Sequence, residues 1–367
     1  MDREREKDLI RVGISIGDIN GIGPEVVIKA LSDNRILQDC IPVVYASTKT
    51  LSYHKKMIKI DEFAYQSCKT ADEAHANKVN VINVWNDEIR FEIGQVSETG
   101  GKYAFASLER ATEDLAQNKI DVLVTAPISK EAISKADFKF PGHTEYLAHL
   151  SNVDEALMMM ISDRLKVALV STHVPLKDVS STITKDGIFK KLNQLNQSLI
   201  KDFGIIKPKI AVLGLNPHAG EQGKLGSEET DIIIPAINEF NQQGGTAYGP
   251  YPADGFFGSS QVNQFDVVLA MYHDQGLTGF KALSFEDGVN FTAGLPIVRT
   301  SPDHGTAFDI AGQGIANAQS MRSAIYWSLD IYKNRKFHKE IHANPLKAQP
   351  VSDGRRKNNS HAKEQDN

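Results

Sequence analysis

The chain has 367 residues, a formal net charge of −5, 41% apolar and 24% charged residues, an ordinary globular composition long enough for two substantial lobes. Its basic residues are dispersed, which gives no electrostatic footprint for a nucleic acid. Two cysteines, Cys40 and Cys68, supply neither a disulfide framework nor a thiolate metal site, and no apolar run approaches the roughly 20 residues of a membrane span, so a cytoplasmic protein with no membrane partner is expected.

Short apolar runs alternate with helical spacing, the pattern of an α/β fold with parallel strands covered by helices. "RVGISIG" (11–17) reads as a first strand, and "GPEVVIKALSD" starts a helix with Pro24 in its first turn, where the missing donor costs little. "IPVVYAS" (41–47) reads as a second strand and "KVNVINVW" as another. A helix is expected after Gly100–Gly101, with Phe105, Leu108, Ala111 and Leu115 on one face, followed by the strand "DVLVTAPIS" (121–129). The same grammar recurs at 165–176, 208–221 and 265–276, each an apolar strand emptying into a loop. The polar stretch 351–367 reads as a frayed tail.

The last three loops carry His173, His218 and His273 just beyond strand C-termini, the end of an α/β sheet where ligands collect. Three imidazoles could meet on a divalent cation; separate hydrogen-bonding roles are the alternative. Asp254 and Asp274 could orient such ligands or move protons, or could simply serve turns. In "FPGHTEYLA", His143 and Thr144 open a helix whose N-terminus could hold an anion, or Thr144 could be a cap. Lys281, Asn290 and Arg299 suit an anionic substrate as well as they suit a solvated surface. The early "GDINGIGPE" matches neither the Rossmann G-x-G-x-x-G nor a Walker loop.

Taken together, "GDINGIGPE", "VTAPISK", "PGHTEYLA", "STHVPLKDV", "LGLNPHAGE", "AMYHDQG" and "GVNFTAGLPIVRTSPDHGTAFDIAG" resemble the 4-hydroxythreonine-4-phosphate dehydrogenase family of vitamin B6 biosynthesis. The likeness runs from about Gly13 to about Leu329, with departures at "GDINGIGPE" for the familiar "GDPAGIGPE" and at Ala126 and Ser129 in "TAPISK". It implies two α/β lobes around a central cleft, similar to isocitrate and isopropylmalate dehydrogenases and without an ordinary Rossmann unit. The first lobe would span 10–140 plus about 303–335, the second 141–302. It also implies NAD-dependent oxidation of a phosphorylated four-carbon amino acid, NADP being the alternative cofactor, followed by loss of CO2. A paralogous dehydrogenase of phosphorylated threonate or erythronate and, more distantly, a non-redox acyltransferase on the same scaffold are the competing activities.

By the same match, His173, His218 and His273 would hold a divalent metal (Zn, Mg, Mn or Co) in a site shared across a homodimer. His143, Thr144, Lys281, Asn290 and Arg299 would bind substrate. Lys281 and Asp254 are the candidate proton acceptors, and the glycine-rich loop around Asn216, Glu221 and Gly226 is the expected cofactor-binding segment.

Overall fold

The apolar runs become β1 (Ile10–Ser15), β2 (Cys40–Ala46), β3 (Tyr65–Cys68), β4 (Val79–Asn83), β5 (Val122–Thr125), β6 (Leu157–Ile161), β7 (Lys166–Leu169), β8 (Ile210–Leu213), β9 (Ala247–Tyr251), β10 (Val267–Ala270), β11 (Val289–Ala293) and β12 (Arg299–Pro302). The structure, a computed structural model, describes residues 9–136, 138–140 and 142–345. The tail expected at 351–367 lies outside them.

All twelve strands belong to one sheet, in the order β3-β4-β2-β1-β5-β12-β11-β6-β7-β10-β8-β9. Two parallel blocks, β3 through β12 and β7 through β9, flank the middle, where β12–β11, β11–β6 and β6–β7 pair antiparallel. The expectation of parallel strands therefore holds within each block and fails between them. For two of the three antiparallel pairs the reason is covalent reach: residues 162–165 join β6 to β7 and residues 294–298 join β11 to β12. Links this short permit a hairpin, whereas a parallel return needs a crossover of a dozen residues or more.

One apolar cluster runs beneath both blocks, from Ile14 and Val124 through Phe291 to Leu195 and Val212, and includes Met321 and Ile325 of the helix Gln319–His342. On the other face the apolar packing splits, with Tyr146, Leu147 and Leu295 on one side and Met160, Leu277 and Phe280 on the other. The period-two alternation of strands decides what fills the gap. Along β11, Val289, Phe291 and Ala293 enter the continuous core while Asn290 and Thr292 turn the other way. Along β12, Thr300 donates to Ala324 O in the long helix, leaving Arg299 and Ser301 facing the gap. No helix among the described residues is long and apolar enough to cross a membrane.

Candidate active site

The gap is a cavity of about 420 Å³ lined by residues from both halves of the sheet, including Thr125, His143, His173, His273, Lys281 and Arg299. Its floor is Arg299. The guanidinium is 3% exposed, donates from Nε and Nη2 to Thr125 Oγ1 (3.1 and 2.6 Å) and from Nη1 to Thr292 Oγ1 (3.2 Å). No carboxylate among the described residues pairs with it. Burial lowers its pKa to about 10. A buried cation whose hydrogen-bond partners are all neutral can take an anion as its partner.

His143 completes the floor. Its Nδ1 accepts from Arg299 Nη2 at 3.2 Å, which leaves the proton on Nε2, and that atom is buried without a protein partner. Burial first, then the Arg299 charge, hold its pKa well below the usual imidazole range, so the ring is neutral and offers one N–H. His143 and Thr144 also open the helix His143–Leu150, whose free backbone donors add to the attraction for an anion. Asn290 lies on the same wall with a buried, unpartnered Oδ1.

The roof is basic and acidic by turns. Lys281 lies on the helix His273–Ser284, 3.4 Å from Asp303 Oδ1. Burial raises the Asp303 pKa, with Lys281 opposing the rise, and burial lowers that of His304. His273 opens the helix, and its Nδ1 donates to Asp274 Oδ1 at 2.7 Å, which fixes Nε2 as the free lone pair. The His173 ring lies 6.2 Å from it, centroid to centroid, and burial lowers the His173 pKa. Two neutral-capable imidazoles with a carboxylate behind one of them are donors suited to a divalent cation.

His218 does not join them within one chain: no group of three metal-capable side chains occurs among the described residues. It borders a second cavity of about 640 Å³ with Asp254, Phe257, Tyr272 and Asp274, on the other side of the His273–Asp274 segment. Asp254 therefore stands with His218, apart from Lys281. The cause is the backbone after β8, where residues His218 to Gln222 all have positive φ, between 43° and 75°. Left-handed helical geometry costs an L-residue roughly 1–2 kcal/mol, and only Gly220 escapes that cost. Asn216, Glu221 and Gly226 lie on this same loop; the Asn216 amide donates to Glu228 Oε2 and Glu229 Oε2.

A profile of the family described as "Pyridoxal phosphate biosynthetic protein PdxA" matches residues 38–328. The chain belongs to this family. It is 49% identical over 345 residues, 94% of each chain, to a 4-hydroxythreonine-4-phosphate dehydrogenase of Bacteroides thetaiotaomicron. It is 38% identical to a D-threonate 4-phosphate dehydrogenase of Cupriavidus necator, covering 88% of this chain and 98% of that one. The crystal structure of 4-hydroxythreonine-4-phosphate dehydrogenase from Klebsiella pneumoniae superposes with a TM-score of 0.75 at 35% identity, over 89% of this chain and 98% of the other.

The cavity in this PdxA-family chain brings together seven of the residues expected from sequence, His143, Thr144, His173, His273, Lys281, Asn290 and Arg299. Thr125, Asp303 and His304 line it beyond that set, and Thr292 accepts from Arg299 behind the wall. Thr292 carried a usable signal, since it shares a strand face with Asn290; Thr125 did not, because its contact with Arg299 spans 174 positions of sequence.

Proposed function

We propose that the chain catalyses the NAD-dependent oxidation of 4-phosphooxy-L-threonine to a 3-keto acid that loses CO2, giving 3-amino-2-oxopropyl phosphate for pyridoxine phosphate synthesis. The observation that carries this reading is the buried Arg299, which no carboxylate among the described residues pairs with, and the His143 Nε2–H beside it, a seat for a phosphate in the same cavity as two imidazoles and Lys281. The B. thetaiotaomicron relative favours the amino acid as substrate, and the C. necator relative favours the hydroxy acid as the second reading.

In this reading Arg299, His143 and the first turn of the helix His143–Leu150 grip the phosphate, Asn290 orients the chain, and Lys281 meets the other end. That turns the single free hydroxyl, at C3, toward the histidines. Lys281 takes up the hydroxyl proton as it passes its own to the Asp303 carboxylate 3.4 Å away, and can return one to the carbon that loses carboxylate. His173 and His273 of one copy with His218 of the partner subunit would hold a divalent cation, Zn or Co suiting imidazole better than Mg. When bound, the cation would polarise the reacting oxygen and NAD, or NADP, would take up the reducing equivalent.

Steady-state kinetics on phosphorylated hydroxythreonine and phosphorylated threonate decide the substrate; a large preference for threonate would replace the first reading with the second. Sharing of the site is tested by mixing. His218→Ala and His273→Ala are each expected to be inactive, and reassembling them together should restore about a quarter of full activity, because one of two sites in each mixed dimer is intact. No recovery from a demonstrated heterodimer would overturn the shared site.

A further inference from the structure

We propose that Glu229 is the positioning residue for His218. The inference rests on the reading of His218 as a ligand to a divalent cation and deepens it, by naming what holds that imidazole in place.

A run of five left-handed residues is not a conformation that "HAGEQ" adopts on local propensity, so something outside the run has to hold it. Glu229 does so from a position that is 2% exposed, at the start of the irregular helical turn Glu229–Ile233. Its Oε1 accepts the Asn216 backbone N–H at 2.7 Å and its Oε2 accepts Asn216 Nδ2 at 3.0 Å, so both oxygens close on the residue two before His218. The same carboxylate fills the hollow of the turn: a Cβ at Gly220 would run into Glu229 Oε2. No cation among the described residues forms an ion pair with Glu229, so the carboxylate serves the loop as a pair of acceptors.

The root of the loop is tied separately. Gln275 donates from Nε2 to Gly214 O at 2.6 Å and accepts from the Met271 N–H at 2.8 Å, which joins the end of β8 to the end of β10. The loops carrying His218 and His273 therefore leave from one bridged platform, and Glu229 sets how the first of them turns. Glutamine at position 229 would keep the volume but replace one acceptor with a donor facing the Asn216 amide, so the lock would fail without opening a cavity.

The test uses full-length protein stripped with a chelator and titrated with Co2+ by calorimetry, alongside turnover. Glu229→Gln is expected to weaken Co2+ binding about 10–100-fold, the range for groups that orient metal ligands, and to lower kcat/KM with it. In the His218→Ala background the same substitution should cost nothing further, since a residue acting through His218 has nothing left to position. Gly220→Ala, which presses on the lock from the opposite side, should reproduce the pattern if Glu229→Gln folds poorly. Wild-type Co2+ affinity in both variants, or a penalty that recurs in full without His218, would overturn the proposal. If His218→Ala itself leaves Co2+ binding unchanged, the ligand reading fails, and the crystal structure of Glu229→Gln decides on its own: a retained left-handed turn at 218–222 refutes the positioning role, and a lost one supports it.

Discussion

Replacing Arg299 with methionine separates an anion seat from a structural ion pair. The guanidinium is 3% exposed, and burial takes its pKa from 12.5 to about 10, a bias of about 3 kcal/mol against the charged form that an incoming phosphate would relieve. Methionine removes that penalty and also removes donors to Thr125, Thr292 and His143, whose hydrogen bonds are worth about 0.5–1.5 kcal/mol apiece. The two effects oppose each other, so the free variant should unfold within about 2 kcal/mol of the parent, where loss of one partner from a buried ion pair would cost about 3–5 kcal/mol. Binding should behave differently, because relief of about 3 kcal/mol corresponds to roughly a hundredfold in affinity for the phosphorylated substrate. Denaturant unfolding with and without inorganic phosphate reads both: phosphate at about 100 times its dissociation constant stabilises the parent by about 2.7 kcal/mol and should leave the variant where it was. A variant that loses 3–5 kcal/mol unliganded, or that phosphate still stabilises as it does the parent, would refute the reasoning.

Two buried groups give opposite pH signatures. Burial lowers the His54 pKa from 6.5 to about 4, so between those values the unfolded chain binds more protons, and stability present above pH 6.5 is lost as pH falls toward 4, by about 3 kcal/mol; His54→Phe should flatten that part of the profile in denaturant unfolding at pH 7.5 and 4.5. Burial raises the Asp18 pKa from 3.8 to about 6, so the native state binds more protons in that window and stability falls as pH rises through it. Asp18→Asn should accordingly gain up to about 3 kcal/mol at pH 7 and almost nothing at pH 3.5, and equal gains at both would exclude burial as the cause. At Gly276 a Cβ would come within 2.9 Å of Leu169, Ala270 and Val167, so Gly276→Ala should push the helix bearing His273 and Lys281 off the sheet. A loss of about 1–3 kcal/mol in thermal unfolding, together with lower kcat/KM, is expected; unchanged kinetics would show that the helix position does not set the site.

What could be read in advance follows how local each cause is. Strand ends bearing His173 and His273 were legible because an apolar run that stops in a polar loop is a local pattern, and the two imidazoles do meet. The β6–β7 and β11–β12 hairpins were also legible in principle, since residues 162–165 and 294–298 are too short for a crossover, whereas the β11–β6 pair between them carried no such signal. Arg299 was not legible as a buried charge, for its environment is made by β5 and β11 together with a histidine 156 positions away. The direction of His218 was still less so, because four of the five left-handed residues are ones that local propensity would place elsewhere, and their lock comes from Glu229.

Burial and function compete on β11 and β12. The apolar face of β11 belongs to the core cluster that joins both halves of the sheet, and β12 is tied to the long helix by Thr300, so these strands cannot shift without disturbing that core. Their other faces hold Asn290, Thr292, Arg299 and Ser301, a polar set that leaves Asn290 Oδ1 unpartnered. An apolar set there would merge the two separate clusters and close the cleft, and a carboxylate opposite Arg299 would fill the seat with the protein's own anion. The chain does neither: Glu145 in the cavity wall offsets part of the Arg299 charge without pairing with it, so the seat stays open for an anion, and the rigid core behind it ensures that the anion, rather than the strand, is what moves.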